Sequence, residues 1–355
     1  MKYYLQELSR NIGGPMTAGI KAREDVEAVF RMLGYTDIGI LTAVHKRDTT
    51  VHKLLASTET SKQWKLLSKK LQPGDTLAVQ LPPSENTLSL GRRMRAIHRK
   101  GVKTIAVIHD LEALRFGMIK RGRAWKRRVR IHFEEEIALK YFDHIIVHNE
   151  KMKDVMIRMG YPASKLVSLG IFDYLTQPAL KPERVGDPAG VIVAGNLMPS
   201  KSGYVYELPE VHGCRFNLYG VNFEEMQAEH IRYYGAFPSD QLPYILNGKF
   251  GLVWDGPSAK TCADVFGEYL KINNPHKTSL YLASGIPVVI WDQAALADLV
   301  KENNCGITVA SLYDLPDVIA KVSDTQYEEM RLAAARMSEK LRDGAFLKAA
   351  VGKCE

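Results

Sequence analysis

Short apolar runs and longer amphipathic stretches alternate along most of this chain. Strand-like runs lie at 37–43, 76–81, 104–109, 144–148 and 166–169. Between them, apolar residues recur at helical spacing over 20–33, 88–100, 133–141 and 151–159. A second series begins at Gly190, with strand-like runs at 191–194, 215–219, 251–254, 288–291 and 307–309. Alternation of this kind predicts α/β structure: parallel sheets covered by helices on both faces. The stretch 173–190 holds Pro178, Pro182 and Pro188 with little apolar periodicity, and reads as a linker. The tail 326–347 is helical in pattern. With 355 residues there is length for two doubly wound, Rossmann-like domains. Ligands of such sheets bind at the carboxyl ends of strands.

The most informative stretch runs from Tyr269 to Ile290. It reads as a polar loop, a helix opening near Pro275, then a Gly-Ile-Pro turn into an apolar strand. Proline suits a first helical turn, where its missing N–H has no partner to lose. Asn273 or Asn274 can cap that turn. A helix start offers free N–H groups and the positive end of the dipole, and Lys277 adds a full charge. In chemical terms this is a diphosphate site.

Asn273-Asn-Pro-His-Lys277, followed by Ser279, Tyr281-Leu-Ala283 and Gly285-Ile-Pro287, resembles a bacterial group of glycosyltransferases. That group includes the glucosyltransferase 3 enzymes and the β-1,6-galactofuranosyltransferases. Phe250-Gly-Leu-Val-Trp-Asp-Gly256 and the opening Met1-Lys-Tyr-Tyr4 are similar too. The resemblance implies the GT-B fold, two Rossmann-like domains with a cleft between them. It implies an acceptor-side domain over 1–175, a nucleotide-sugar domain over 190–325 and a helical tail over 326–355 that crosses back to the first domain. The implied reaction moves a hexose, galactofuranose or glucose, from a UDP-sugar to a hydroxyl of a surface polysaccharide or glycoprotein glycan. Many retaining GT-B enzymes carry a Glu five residues before the Gly of this turn. Leu280 stands there, which leaves the stereochemistry open.

Other candidates follow strand ends. Asn11-Ile-Gly-Gly14 and Thr17 lie after the first strand, either facing a ligand or forming a tight turn; the resemblance favours Gly13, Gly14 and Thr17 at the donor diphosphate or the acceptor. Asp110 ends the 104–109 run, where a carboxylate serves as a general base or caps the next helix. Asn196, after Gly195, is placed to bond phosphate or ribose, with Lys201 nearby. Tyr219 is placed to stack on uracil, to bond the diphosphate or to fill the core. Asp255 and Gly256 end the 251–254 run. With Lys271, Asn273, Asn274, His276 and Lys277 they complete the expected nucleotide-sugar site, Lys277 being the residue expected at the β-phosphate.

Charge adds one feature. Between Arg92 and Arg130 there are 14 Lys and Arg against Asp110 and Glu112, a net +12 in a chain of net +8. The remainder therefore carries −4. The densest part, Lys120 to Arg130, suits an anionic membrane surface, a phosphate ligand or a solvated face. Nucleic acid is not expected, since no recognition motif accompanies the charge. Four cysteines without metal-ligand or disulfide spacing suit a reducing compartment. No signal peptide and no membrane span is expected, so a cytoplasmic enzyme is, with a peripheral position on the inner membrane face as a variant of that expectation. The absence of Asp-x-Asp predicts a metal-independent mechanism with no cofactor, the UDP-sugar being substrate. The expected partners are the donor, a glycan acceptor that can be lipid-linked, the membrane surface and a second copy of the chain. Two other functions fit the same scaffold: a UDP-sugar epimerase and a non-catalytic glycosylation subunit.

Overall fold

The computed structural model describes residues 1–9, 18–42, 50–83, 89–117, 132–176 and 184–355. Chain contacts divide it into two compact units. Unit 1 takes Met1–Pro15, Val26–Leu169 and Leu347–Glu355, and unit 2 takes Met16–Asp25 and Gly170–Phe346.

Unit 1 is built on a six-stranded parallel sheet of order β2-β1-β3-β4-β5-β6. Its strands are β1 (Lys2–Ser9), β2 (Thr36–Thr42), β3 (Thr76–Leu81), β4 (Lys103–Ile108), β5 (His144–Val147) and β6 (Leu166–Ser168). β3 and β4 are almost wholly buried, which is why they read as continuous apolar runs. The helices are α1 (Ala18–Met32), α2 (Thr50–Lys70), α3 (Leu90–Arg99), α4 (Glu112–Gly117), α5 (Ile137–Leu139) and α6 (Glu150–Arg158). A π-helical turn, His132–Glu136, leads directly into α5. The chain end belongs to this unit: the Glu355 carboxylate accepts from Lys2 Nζ at 2.7 Å and from the Tyr35 hydroxyl at 3.0 Å.

Unit 2 repeats the plan with the order β12-β11-β10-β7-β8-β9. Its strands are β7 (Val191–Asn196), β8 (Phe216–Val221), β9 (Ile231–Tyr233), β10 (Phe250–Val253), β11 (Val288–Trp291) and β12 (Gly306–Val309), all paired in parallel. The helices are α7 (Leu242–Ile245), α8 (Asp264–Tyr269), α9 (His276–Ala283), α10 (Ala297–Glu302), α11 (Leu315–Ala320), α12 (Asp324–Arg342) and α13 (Ala345–Gly352), the last crossing from unit 2 into unit 1. Strand order reverses between β7 and β10, so this is the point where an open α/β sheet admits a ligand. α9 is seated beneath it. The Tyr281 hydroxyl accepts from the Ala194 amide at 2.8 Å, and the Tyr281 ring lies where a side chain at Gly251 would stand.

The stretch expected as a linker is not loose at its start. Asp25 Oδ2 accepts from the Leu175 amide at 3.1 Å, Asp173 Oδ1 from the Phe346 amide at 3.2 Å, and the Phe172 carbonyl from Ser279 Oγ at 2.6 Å. β9 was not legible as a strand. It has three residues with one charged, too few for a period-two pattern to stand out.

Candidate functional site

In unit 2 the site residues gather where β10 ends and α9 begins. Pro275 holds the position before α9 in extended backbone, and no side chain caps the helix. The expected asparagine cap is therefore absent. Asn274 instead donates through Nδ2 to the Gly170 carbonyl at 3.0 Å, and it is 4% exposed. The first amides of α9 are left for something other than a capping side chain. Lys277 lies in that first turn. Its ammonium donates to the Trp254 carbonyl at 2.7 Å and to Asp255 Oδ1 at 3.0 Å, so it is aimed at the carboxyl end of β10. Both partners are largely sheltered, at 17% and 18% side-chain exposure. Gly256 follows with φ +112, and a Cβ there would stand 2.7 Å from the Ala263 carbonyl oxygen. Only glycine fits that turn.

Around the same helix start, three polar atoms are buried without a hydrogen-bond partner: Asn273 Oδ1, His276 Nε2 and Thr278 Oγ1. Buried polar atoms are nearly always satisfied, so three within six residues mark a place prepared for a ligand. The His276 ring tilts against Tyr174 at 5.1 Å and Phe172 at 6.1 Å. Burial, aided by the Lys21 ammonium, pushes its pKa down to about 3. His276 is thus neutral at physiological pH and can exchange a hydrogen bond but cannot neutralise a phosphate. Lys21 is itself buried, paired with Asp25, bonded to the Leu175 carbonyl at 2.6 Å and set over the Tyr174 ring at 4.9 Å. Lys271 pairs with both oxygens of Glu268, at 2.9 and 2.8 Å, and lies 5.4 Å from the Trp291 ring centroid.

Asn196 closes β7 beside this site. Its Oδ1 accepts from the Met198 amide and from Asn222 Nδ2, both at 3.1 Å, which fixes the turn toward Lys201. Tyr219 is a correction to the sequence reading. It is wholly buried, stacked on Tyr234 at 5.3 Å, and its hydroxyl donates to the Val185 carbonyl. The ring has no free face for a base. The loop at 254–260 is steadied by Glu207, whose Oε2 accepts from the Ala259 amide at 2.7 Å and from Ser258 Oγ at 3.0 Å.

In unit 1, Asp110 lies just beyond β4, and its carboxylate pairs with the Arg115 guanidinium one helical turn on. His109 beside it bonds through Nε2 to Gln80 Oε1 at 2.6 Å. Glu135, from the π-helical turn, takes the amide of Glu112 on Oε1 at 3.1 Å and that of Ala113 on Oε2 at 3.0 Å. The cap of α4 is thus supplied by Glu135 rather than by Asp110. Burial pushes Glu135 up to about 7, against the pull of those two amides. Sequence reasoning missed Glu135, Arg115 and Gln80, because nothing in local spacing links them to Asp110. Gly13, Gly14, Thr17 and the cluster from Lys120 to Arg130 lie outside the described residues.

Two family descriptions cover nearly the whole chain: the glucosyltransferase 3-like N-terminal domain over 2–171 and the glucosyltransferase 3-like C-terminal domain over 191–354. The β-1,6-galactofuranosyltransferase WbbI of Escherichia coli K12 is 31% identical over 353 residues, covering 98% of this chain and 96% of that protein. Among solved structures, sucrose-phosphate synthase of Thermosynechococcus elongatus superposes with a TM-score of 0.62 at 12% identity, over 99% of this chain and 96% of that one. HepE of Anabaena, solved in complex with UDP, gives a TM-score of 0.57 at 11% identity, over 99% of both chains. At that identity the two structures establish the fold alone, which is GT-B.

Proposed function

This chain belongs to the glucosyltransferase 3-like family of glycosyltransferases, and we propose that it moves a hexose from a UDP-sugar to a hydroxyl of a surface glycan. The start of α9 carries the reading. An ammonium sheltered at 17% exposure, uncapped amides and three unpartnered polar atoms meet at a strand-order reversal. A diphosphate takes the ammonium and the amides, and the hydroxyls of ribose or sugar supply the donor that Asn273 Oδ1 lacks.

The acceptor oxygen bonds to the anomeric carbon as the bond from that carbon to the β-phosphate oxygen breaks. UDP leaves with the electron pair, its charge held by Lys277 and the α9 amides. The hydroxyl proton passes to a carboxylate, for which Asp110 stands. Its carboxylate is paired with Arg115, so the acceptor hydroxyl must displace part of that pair to reach it. Neutral His276 suits a sugar hydroxyl rather than a phosphate. Asn196, Asp255, Gly256, Asn273 and Asn274 shape the same site. The kinship with WbbI favours galactofuranose as the sugar. The reading is metal-free, because Lys277 and the α9 amides can hold the charge of the leaving diphosphate.

A panel of UDP-galactofuranose, UDP-galactose, UDP-glucose and UDP-N-acetylglucosamine tests the reading, with UDP release measured with and without a glycan acceptor. Acceptor-dependent release from one donor is expected. Interconversion of UDP-sugars without acceptor would point to an epimerase, and intact donor under every condition to a binding subunit.

A further inference from the structure

The two helices α2 and α3 lie side by side and run the same way. Ser61, midway along α2, bonds through Oγ to Ser89 Oγ at the start of α3 at 2.8 Å and accepts from Arg93 Nη2 at 2.9 Å. At the carboxyl ends of both helices Lys100 Nζ donates to the Ser68 carbonyl at 3.1 Å. α2 turns Trp64, Leu67 and Leu71 inward, and α3 turns Leu90, Met94 and Ile97. The opposite side of α2 exposes Lys62, Lys65, Leu66, Lys69 and Lys70; that of α3 exposes Arg92, Arg95 and Arg99. The only acid in either helix is Glu59, 3.7 Å from Lys62. Two parallel stripes therefore present seven exposed cations, and Leu66, 53% exposed, sits within the lysine stripe.

We propose that this α2–α3 face docks on an anionic phospholipid bilayer. A bilayer is a flat anionic plane, and two adjacent parallel helices offer a matching cationic surface. Lysine and arginine stems reach headgroups while an apolar residue between them enters the acyl boundary, the arrangement of interfacial helices. An ordinary solvated face intersperses both signs of charge, which this one does not. A single-stranded nucleic acid would ask for stacking aromatics, and Trp64 in α2 points inward. Among the described residues no helix is long and apolar enough to cross a membrane, so an electrostatic surface would be the means of attachment from these helices.

The test is flotation of the full chain with vesicles of 30% phosphatidylglycerol in phosphatidylcholine, and with phosphatidylcholine alone. Binding to the anionic vesicles at 50 mM salt, lost by 500 mM, is expected. At roughly fivefold per cation, Arg92→Gln, Arg95→Gln and Arg99→Gln together should weaken it about a hundredfold. The set Lys301→Gln, Lys321→Gln and Lys340→Gln removes as much charge from exposed positions elsewhere and should leave it unchanged. Leu66→Gln should reduce what binding persists at intermediate salt. All variants should keep the parental melting temperature and UDP release with a soluble acceptor. These readouts need no assumption about the sugar transferred. The proposal is overturned if the parent ignores anionic vesicles at low salt, if the control set loses as much as the α3 set, or if the α3 set binds as the parent does. Tighter binding to a single-stranded oligonucleotide than to vesicles would overturn it as well.

Discussion

Lys277 and Asp255 hold one another at 3.0 Å, one from the first turn of α9 and the other from the loop after β10. The pair joins the helix that offers its amides to the strand end where an open sheet admits ligand. Asp255 does two things to Lys277: it fixes the direction of the ammonium and offsets its charge. Lys277→Ala should weaken UDP binding ten- to a hundredfold, about 1.5–3 kcal/mol for a charge-assisted bond. Asp255→Asn should cost less. The double variant should fall short of the sum, with a coupling of about 0.5–3 kcal/mol. Calorimetric titration with UDP across the four proteins measures this, and full additivity would refute a shared role.

Asp110→Asn should lower turnover about a hundred- to ten-thousand-fold while changing UDP affinity little, as for a general base. Arg115→Ala should move the same step in a different way: turnover falls because Asp110 loses its orientation. An unchanged turnover in Asp110→Asn would pass the role to another carboxylate.

Glu135 predicts a pH signature in stability. Its pKa in the fold is raised from the ordinary 4.5 to about 7. A raised carboxylate favours the fold most when protonated, below about 4.5, and that contribution is lost as pH climbs to about 7. Asp25, raised to about 6, acts in the same direction over a lower window. Glu135→Gln should therefore gain on the parent as pH rises from 4.5 to 7, by up to roughly 3 kcal/mol, on top of a constant offset from the amide facing Ala113. Melting curves of both proteins from pH 4 to 8 check it. A difference that stays flat across that window would mean Glu135 is solvated.

Chelation should leave UDP release intact. Electrostatic stabilisation by Lys277 and helix amides needs no metal ion. Activity lost in EDTA and restored by manganese or magnesium would reverse that expectation.

Much of this was legible in the chain. The alternation of strand and helix patterns foretold two parallel sheets, because strands covered on both faces are mostly apolar, as β3, β4 and β10 are. The run from Asn273 to Lys277 marked the helix start, because Pro275 acts locally, whereas Asn274 turned to the distant Gly170 carbonyl instead of capping. What only the tertiary structure decided are the long-range partners. Asp255 meets Lys277 across 22 positions and Glu135 caps α4 from 23 positions away, and no periodicity encodes such pairings. Tyr219 shows the reverse: a strand end looks available for a ligand until the neighbouring rings and carbonyls that enclose it are in place. Sequence patterns set which face of an element is buried. Which polar groups then meet depends on how the chain packs, because burial is what forces each of them to find a partner.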